Sequence, residues 1–351
     1  MNASSDAADR VRYPPAMRLD SVQMLRALAA RAVCTHHIRM LANGAWGVDL
    51  FFVISGFIMC YVTERSGEHF FAKRLIRVVP LYWIGTIAVF CVALVMPNML
   101  RNTTANVVDL LKSLAFIPFR KGTAETTPVL FLGWTLNYEM FFYLIFALSM
   151  AASHKYRAVI SAASLIVIVV LGKSLPIESV PLRFFSRPII LEFAYGMLCH
   201  ALLMRLALGA SARRPVAARL PWLMAGALFI ACMPLATLWS IRWDESIRWG
   251  IPAALAFYCL VYGMYGMKLP RGVVIIGDAS YSHYLFHPYV IQIFTKAGAF
   301  SGGGALAYGM AAVAMGVCIG LSILSLNHLE KPTSDYLRRR FIDRPVQPVG
   351  A

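Results

Sequence analysis

The sequence predicts an all-α fold: a polytopic membrane bundle of about ten transmembrane helices, built as a single domain. Of its 351 residues, 59% are hydrophobic and only 14% charged, with a mean hydropathy of +0.64; soluble domains carry about 25% charged residues. Apolar runs approaching the roughly twenty residues that cross a bilayer recur along almost the whole length. A third observation concerns function. Arg26, His37 and Asp49 lie inside the first two apolar segments, where charge in hydrocarbon is costly and marks a working site by default.

The segments fall near 21–41, 46–63, 79–98, 134–151, 157–172, 188–207, 220–240, 248–266, 281–299 and 304–327. The first is poor by hydropathy because Arg26, Arg31, His36 and His37 interrupt it, and the fifth is short. The second follows after a short turn at 42–45, so the first two spans are expected to be neighbours. Between the third and fourth lies the longest loop, 97–133. Within it, apolar residues recur at helical spacing from Val107 to Phe116, the pattern of a short helix lying on the membrane surface. An ordinary connecting helix and a substrate lid both fit that pattern. Residues 1–20 read as a cytoplasmic N-terminal tail without the features of a signal peptide. Residues 21–330 read as the membrane domain, and 331–351 as a cytoplasmic C-terminal tail. Lys and Arg are in excess on the side that holds both ends, which places both termini in the cytoplasm.

The net charge of +16 is read as basic loops facing anionic lipid. Nucleic acid is not an expected partner, since no basic stripe with interleaved aromatics occurs on a soluble module. The seven cysteines all fall in apolar runs without CxxC or zinc-ligand spacing, so they are read as small buried hydrophobes. No metal and no disulfide are implied.

Arg26 and His37 are eleven residues apart, which puts them on one helix face about 16 Å apart in depth. Asp49, early in the returning span, is expected near the depth of His37. An aspartate beside an imidazole fixes its tautomer and raises its basicity, as a general base requires. A buried structural His–Asp pair is the plain alternative. His36 projects about 100° away and leaves the Arg26 face to His37. Beyond span two, Lys73, Arg74 and Arg77 precede Pro80. Three cations on one turn suit a phosphorylated ligand, Arg through bidentate contacts, although basic residues on the cytoplasmic side need no ligand to explain them. Glu139, in the outer half of span four, is placed to position a hydroxyl acceptor or to pair with a cation. Glu192 is a candidate counter-ion for Arg31. His287, followed by Pro288, has a structural or a ligand-contacting role.

There is no GxSxG elbow, Walker loop, GxGxxG or HExxH. Two classes remain: an enzyme joining a cytoplasmic phosphorylated donor to an outward acceptor, and a proton-coupled carrier using Asp49, Glu139 and His37 as a relay.

The motifs LRALAARAVCTHH, GVDLFFVISGFIM, FFAKRLIRVVPLYW, GWTLNYEMFFYL, GDASYSHYLFH and HLEKP occur in this order over roughly residues 18–335. Together they resemble the membrane-bound acyltransferase family 3, most closely its exopolysaccharide O-acetyltransferase branch. The resemblance implies a ten-helix bundle in a bacterial inner membrane that passes an acyl group, usually acetyl, from cytoplasmic acetyl-CoA to a sugar hydroxyl. The acceptor implied is a glycan or lipid-linked saccharide. It further implies that His37 is catalytic and paired with Arg26, that Arg74 and Arg77 hold the donor, and that Glu139 is the family's glutamate of the fourth helix. His36 and Arg31 depart from the family pattern.

Overall fold

The protein is described by a computed structural model covering residues 19–38, 41, 43–96, 100, 105–120, 126–207, 215–234, 244 and 246–343. Most of the N-terminal tail, parts of the 97–133 loop and the end of the seventh segment lie outside the described residues. Among those described, the fold is helical and contains no strand.

Helix α1 (Asp20–His37) is helical despite its polar residues because they are sorted by face. Leu25, Ala29, Ala32 and Val33 are buried, while Arg31 and His36 are exposed. After a tight turn, α2 (Gly47–Val62) runs back beside it. Its main neighbour is α8 (Leu191–Ala207). Here Gly56 and Gly196 let two backbones approach: a Cβ on Gly56 would lie 2.0 Å from Phe193 O, and one on Gly196 would lie 2.0 Å from Val53 O. Without a hydrophobic drive between helices in lipid, such close van der Waals packing is what associates them.

Helix α3 (Phe70–Val95) contains Pro80. Proline has no N–H for the carbonyl four residues earlier, and that carbonyl, Ile76 O, accepts instead from Ser334 Oγ at 3.5 Å. The helical spacing read between Val107 and Phe116 forms α4 (Val107–Leu114), capped by the Asn106 side chain. Tyr82 donates to Ser113 O at 3.0 Å and Trp83 to Leu114 O at 2.9 Å, tying α4 to α3. Val107, Val108 and Leu111 remain exposed.

The remaining bundle comprises α5 (Gly133–Ala152), α6 (Arg157–Ser174), the short α7 (Val180–Phe185), α9 (Val216–Cys232) and α10 (Ile251–Gly263). It continues with α11 (Arg271–Asp278), α12 (Ser280–Lys296) and α13 (Gly304–Ser325). A π-turn, Leu326–Glu330, then leads into α14 (Lys331–Phe341), so much of the expected C-terminal tail is a helix docked on α3. Every expected span overlaps a helix. Among the described residues, five helical segments are long and apolar enough to cross a membrane: Phe70–Val95, Gly133–Ala152, Arg157–Ser174, Pro188–Arg205 and Gly304–Phe341. Helix α1 is too polar for that criterion, and α10 and α12 are shorter.

The centre is aromatic. Phe193 stacks on Phe52 (ring centroids 4.7 Å apart) and on Phe142 (4.3 Å), joining α8, α2 and α5. On the other side of α2, Phe57 meets Phe257 of α10 at 5.0 Å. Of the cysteines, five are buried, while Cys91 and Cys232 are exposed.

Candidate active site

Two adjoining spaces open inside the bundle. The deeper one, about 280 Å³, is lined by α1, α2, α3, α5 and α12. Arg26, Arg74, Arg77 and Glu139 all reach it, so Glu139, expected in the outer half of its span, is brought together with the three arginines expected to hold a donor. Its other polar groups include Gln23, Ser55, Thr135, Tyr143, Ser280 and Tyr284, and Phe51, Phe52, Ile54 and Leu136 supply the apolar wall. The second space, about 470 Å³, shares Gln23, Arg26, Arg74 and Arg77 with the first. It adds Lys73, Lys331 and Arg338, balanced by Asp278, Glu330 and Asp335. The shared residues form a basic neck between an outer vestibule and an inner chamber.

Arg74 and Arg77 share the neck because residues three apart on a helix are neighbours. The Arg74 guanidinium lies 5.9 Å over the Phe70 ring, and its Nε is buried without a hydrogen-bond partner. Leaving such a donor unmet costs about 1–3 kcal/mol, and an anionic group at the neck would meet it. The single carboxylate of the chamber is held from two sides. Ser55 donates to Glu139 Oε1 at 3.2 Å, and Tyr143 donates to the same oxygen.

His37 is not among the residues lining the chamber. It ends α1, half-buried, with Nδ1 2.9 Å from Val33 O and 3.2 Å from His287 Nε2. Phe131 packs edge-on against the His37 ring at 6.0 Å. Tyr284 is the residue between the two regions: it lines the chamber, its hydroxyl meets Thr135 Oγ1 at 2.7 Å, and its ring lies 6.2 Å from that of His287. Asp49 is buried in the first turn of α2 and lines neither space. Arg31 is exposed, whereas Glu192 is fully buried beside Gly250. Among the described residues, no three His, Cys, Asp or Glu side chains converge as metal ligands would.

Several site residues were not anticipated from sequence. Tyr143 had a signal, since it lies one turn beyond Glu139 on the same face. Ser55 and Tyr284 had none beyond being polar within apolar helices.

The arrangement suits group transfer from an anionic donor: a basic neck, a half-apolar chamber, and an imidazole beyond the chamber's far wall. Residues 19–325 match the model of an acyltransferase domain, acyltransferase family 3. Over 309 residues the chain is 33% identical to the exopolysaccharide production protein ExoZ of Rhizobium meliloti (strain 1021), covering 85% of this chain and 90% of that protein. No solved structure matches. With six ordered motifs, an all-helical membrane bundle and a family match across most of its length, the chain belongs to the membrane acyltransferase family 3.

Proposed function

We propose that this protein is a bacterial inner-membrane O-acetyltransferase of exopolysaccharide synthesis. It takes acetyl from cytoplasmic acetyl-CoA and delivers it to a sugar hydroxyl of the polymer or its lipid-linked precursor. Both termini and the vestibule face the cytoplasm. The observation that carries the reading is the neck: three arginines converge where two spaces meet, and Arg74 has a buried donor unmet. The phosphates of CoA would satisfy it. The name of the Rhizobium relative supports an exopolysaccharide as the acceptor class.

In this scheme Arg74, Arg77 and Lys73 bind the donor phosphates, and Arg26 holds the donor deeper on α1. The acyl arm lies along the apolar wall of the chamber. His37 removes the proton of the sugar hydroxyl as its oxygen attacks the thioester carbonyl. The C–O bond forms, the C–S bond breaks, and the CoA sulfur leaves with the proton His37 collected. Glu139, held by Ser55 and Tyr143, positions the reacting groups, and Asp49 supports the His37 end of α2.

The test is turnover of acetyl-CoA, labelled in the acetyl group, by purified protein in lipid with a cell-envelope glycan extract. The variants are His37→Ala and an Arg74/Arg77 double alanine. Label reaching glycan in wild type and lost in both variants is expected. No CoA binding and no turnover by wild type would overturn the enzyme reading in favour of a carrier.

A further inference from the structure

A carbonyl oxygen accepts hydrogen bonds and never donates one. This rule assigns protons in the imidazole pair at the end of α1. His287 Nδ1 lies 3.0 Å from His283 O, so Nδ1 carries the proton, and in the neutral ring Nε2 holds the lone pair. That Nε2 faces His37 Nδ1 at 3.2 Å. Val33 O faces the same His37 Nδ1 at 2.9 Å. Both neighbours of His37 Nδ1 are therefore acceptors, so this atom carries the ring proton. The lone pair of His37 is left on Nε2, the ring nitrogen that neither neighbour engages.

We propose that His287 is the positioning residue for His37: its Nε2 shares the His37 Nδ1–H with Val33 O in a bifurcated bond, which orients the ring, reinforces the tautomer and keeps His37 Nε2 basic. This rests on the reading of His37 as the general base, and it gives His287 the part that an aspartate neighbour was expected to play. The partner is itself fixed. His287 is 1% exposed and stacks on His283 with ring centroids 5.8 Å apart. Ser322 Oγ donates to Cys318 O at 2.5 Å, so its oxygen accepts from His283 Nδ1 at 3.3 Å and steadies that ring in turn. As His37 gains a proton in the reaction, its Nδ1–H bond becomes charge-assisted and shortens. A neutral imidazole accepts this bond without forming an ion pair, so the proton on His37 Nε2 stays transferable to the leaving sulfur.

Two measurements test the assignment. In ¹⁵N-histidine-labelled protein in lipid, with His37 assigned by difference against His37→Ala, the neutral His37 ring is expected as the Nδ1–H tautomer. An Nε2–H tautomer overturns the proposal whether or not the protein turns over acetyl-CoA. In the transfer assay, His287→Leu is expected to lower kcat by at least about tenfold, part of the 10²–10⁴ that general-base catalysis supplies. KM for acetyl-CoA should not move, because His287 does not line the chamber. His287→Gln, whose Oε1 replaces the Nε2 acceptor, should recover much of the loss. An unchanged kcat in His287→Leu, or a Gln variant no better than Leu, overturns the positioning role. A wild type that never turns over acetyl-CoA counts instead against the enzyme reading.

Discussion

The hydroxyls of Tyr284 and Thr135 meet at 2.7 Å, joining α12 to α5. Phe51 packs edge-on against the Tyr284 ring at 5.6 Å. These side chains wall the chamber on the side toward His287 and His37, and in the proposed scheme the acyl chain would lie against them.

Shortening that wall is expected to change acyl preference. Tyr284→Ala should raise the rate with butyryl-CoA relative to acetyl-CoA about tenfold, since each methylene given an apolar place is worth ~0.8 kcal/mol. Tyr284→Phe, which keeps the ring, should leave the ratio near that of wild type. Competition between the two thioesters reads it directly, and an unchanged ratio in the alanine variant would remove Tyr284 from the acyl wall.

At the neck, the shape of the cation matters as much as its charge. Arg74→Lys preserves charge but loses the planar fork that meets phosphate through two bonds. It is expected to raise KM for acetyl-CoA by about tenfold, nearly as much as Arg74→Ala. Full affinity in the lysine variant, measured by calorimetry with CoA, would mean that only the charge is used.

Two replacements at Glu139, one isosteric and one truncating, separate structure from chemistry. Glu139→Gln keeps an oxygen to accept from Ser55 and Tyr143, so it should fold and retain its melting temperature while losing activity. Glu139→Ala removes the acceptor shared by Ser55 and Tyr143, at about 1–3 kcal/mol for a buried bond left unmade, and should lower the melting temperature in detergent as well. Equal melting temperatures for the two variants would show that the Glu139 bonds do not support the fold.

The α2–α8 crossing makes a prediction with an internal control. Gly56→Ala and Gly196→Ala both drive a methyl into opposing backbone at 2.0 Å, where relief requires helix displacement and typically costs 1–3 kcal/mol. Gly309→Ala and Gly316→Ala on α13 meet nothing within 4 Å and should leave thermal stability unchanged. Differential scanning measurements on the four variants compare them.

The helical class was legible because apolar run length is a local property of the chain. Part of the neck was legible too: Arg74 and Arg77 share a face by spacing alone, whereas Arg26 had been set on the face of His37 and Glu139 in the outer half of its span, and their meeting with the arginines of α3 depends on how distant helices pack. What faces His37 was not. Short-turn adjacency suggested Asp49 from the next helix, whereas the imidazole in contact comes from a residue 250 positions away. Which faces of sequence-distant helices meet depends on packing around Phe193 and the glycine crossing, and no local pattern encodes it.

Pro80 carries a consequence for how the protein is made. The carbonyl it leaves unmet at Ile76 is taken by Ser334, 258 residues later in the chain. Lys331 and Arg338, on the same helix as Ser334, help to line the vestibule. During synthesis the arginines of α3 enter the membrane long before the helix that completes their surroundings, so the donor entrance is finished only after α14 has left the ribosome. Until then the nascent chain has the arginines of α3 but lacks the Ser334, Lys331 and Arg338 side of the vestibule.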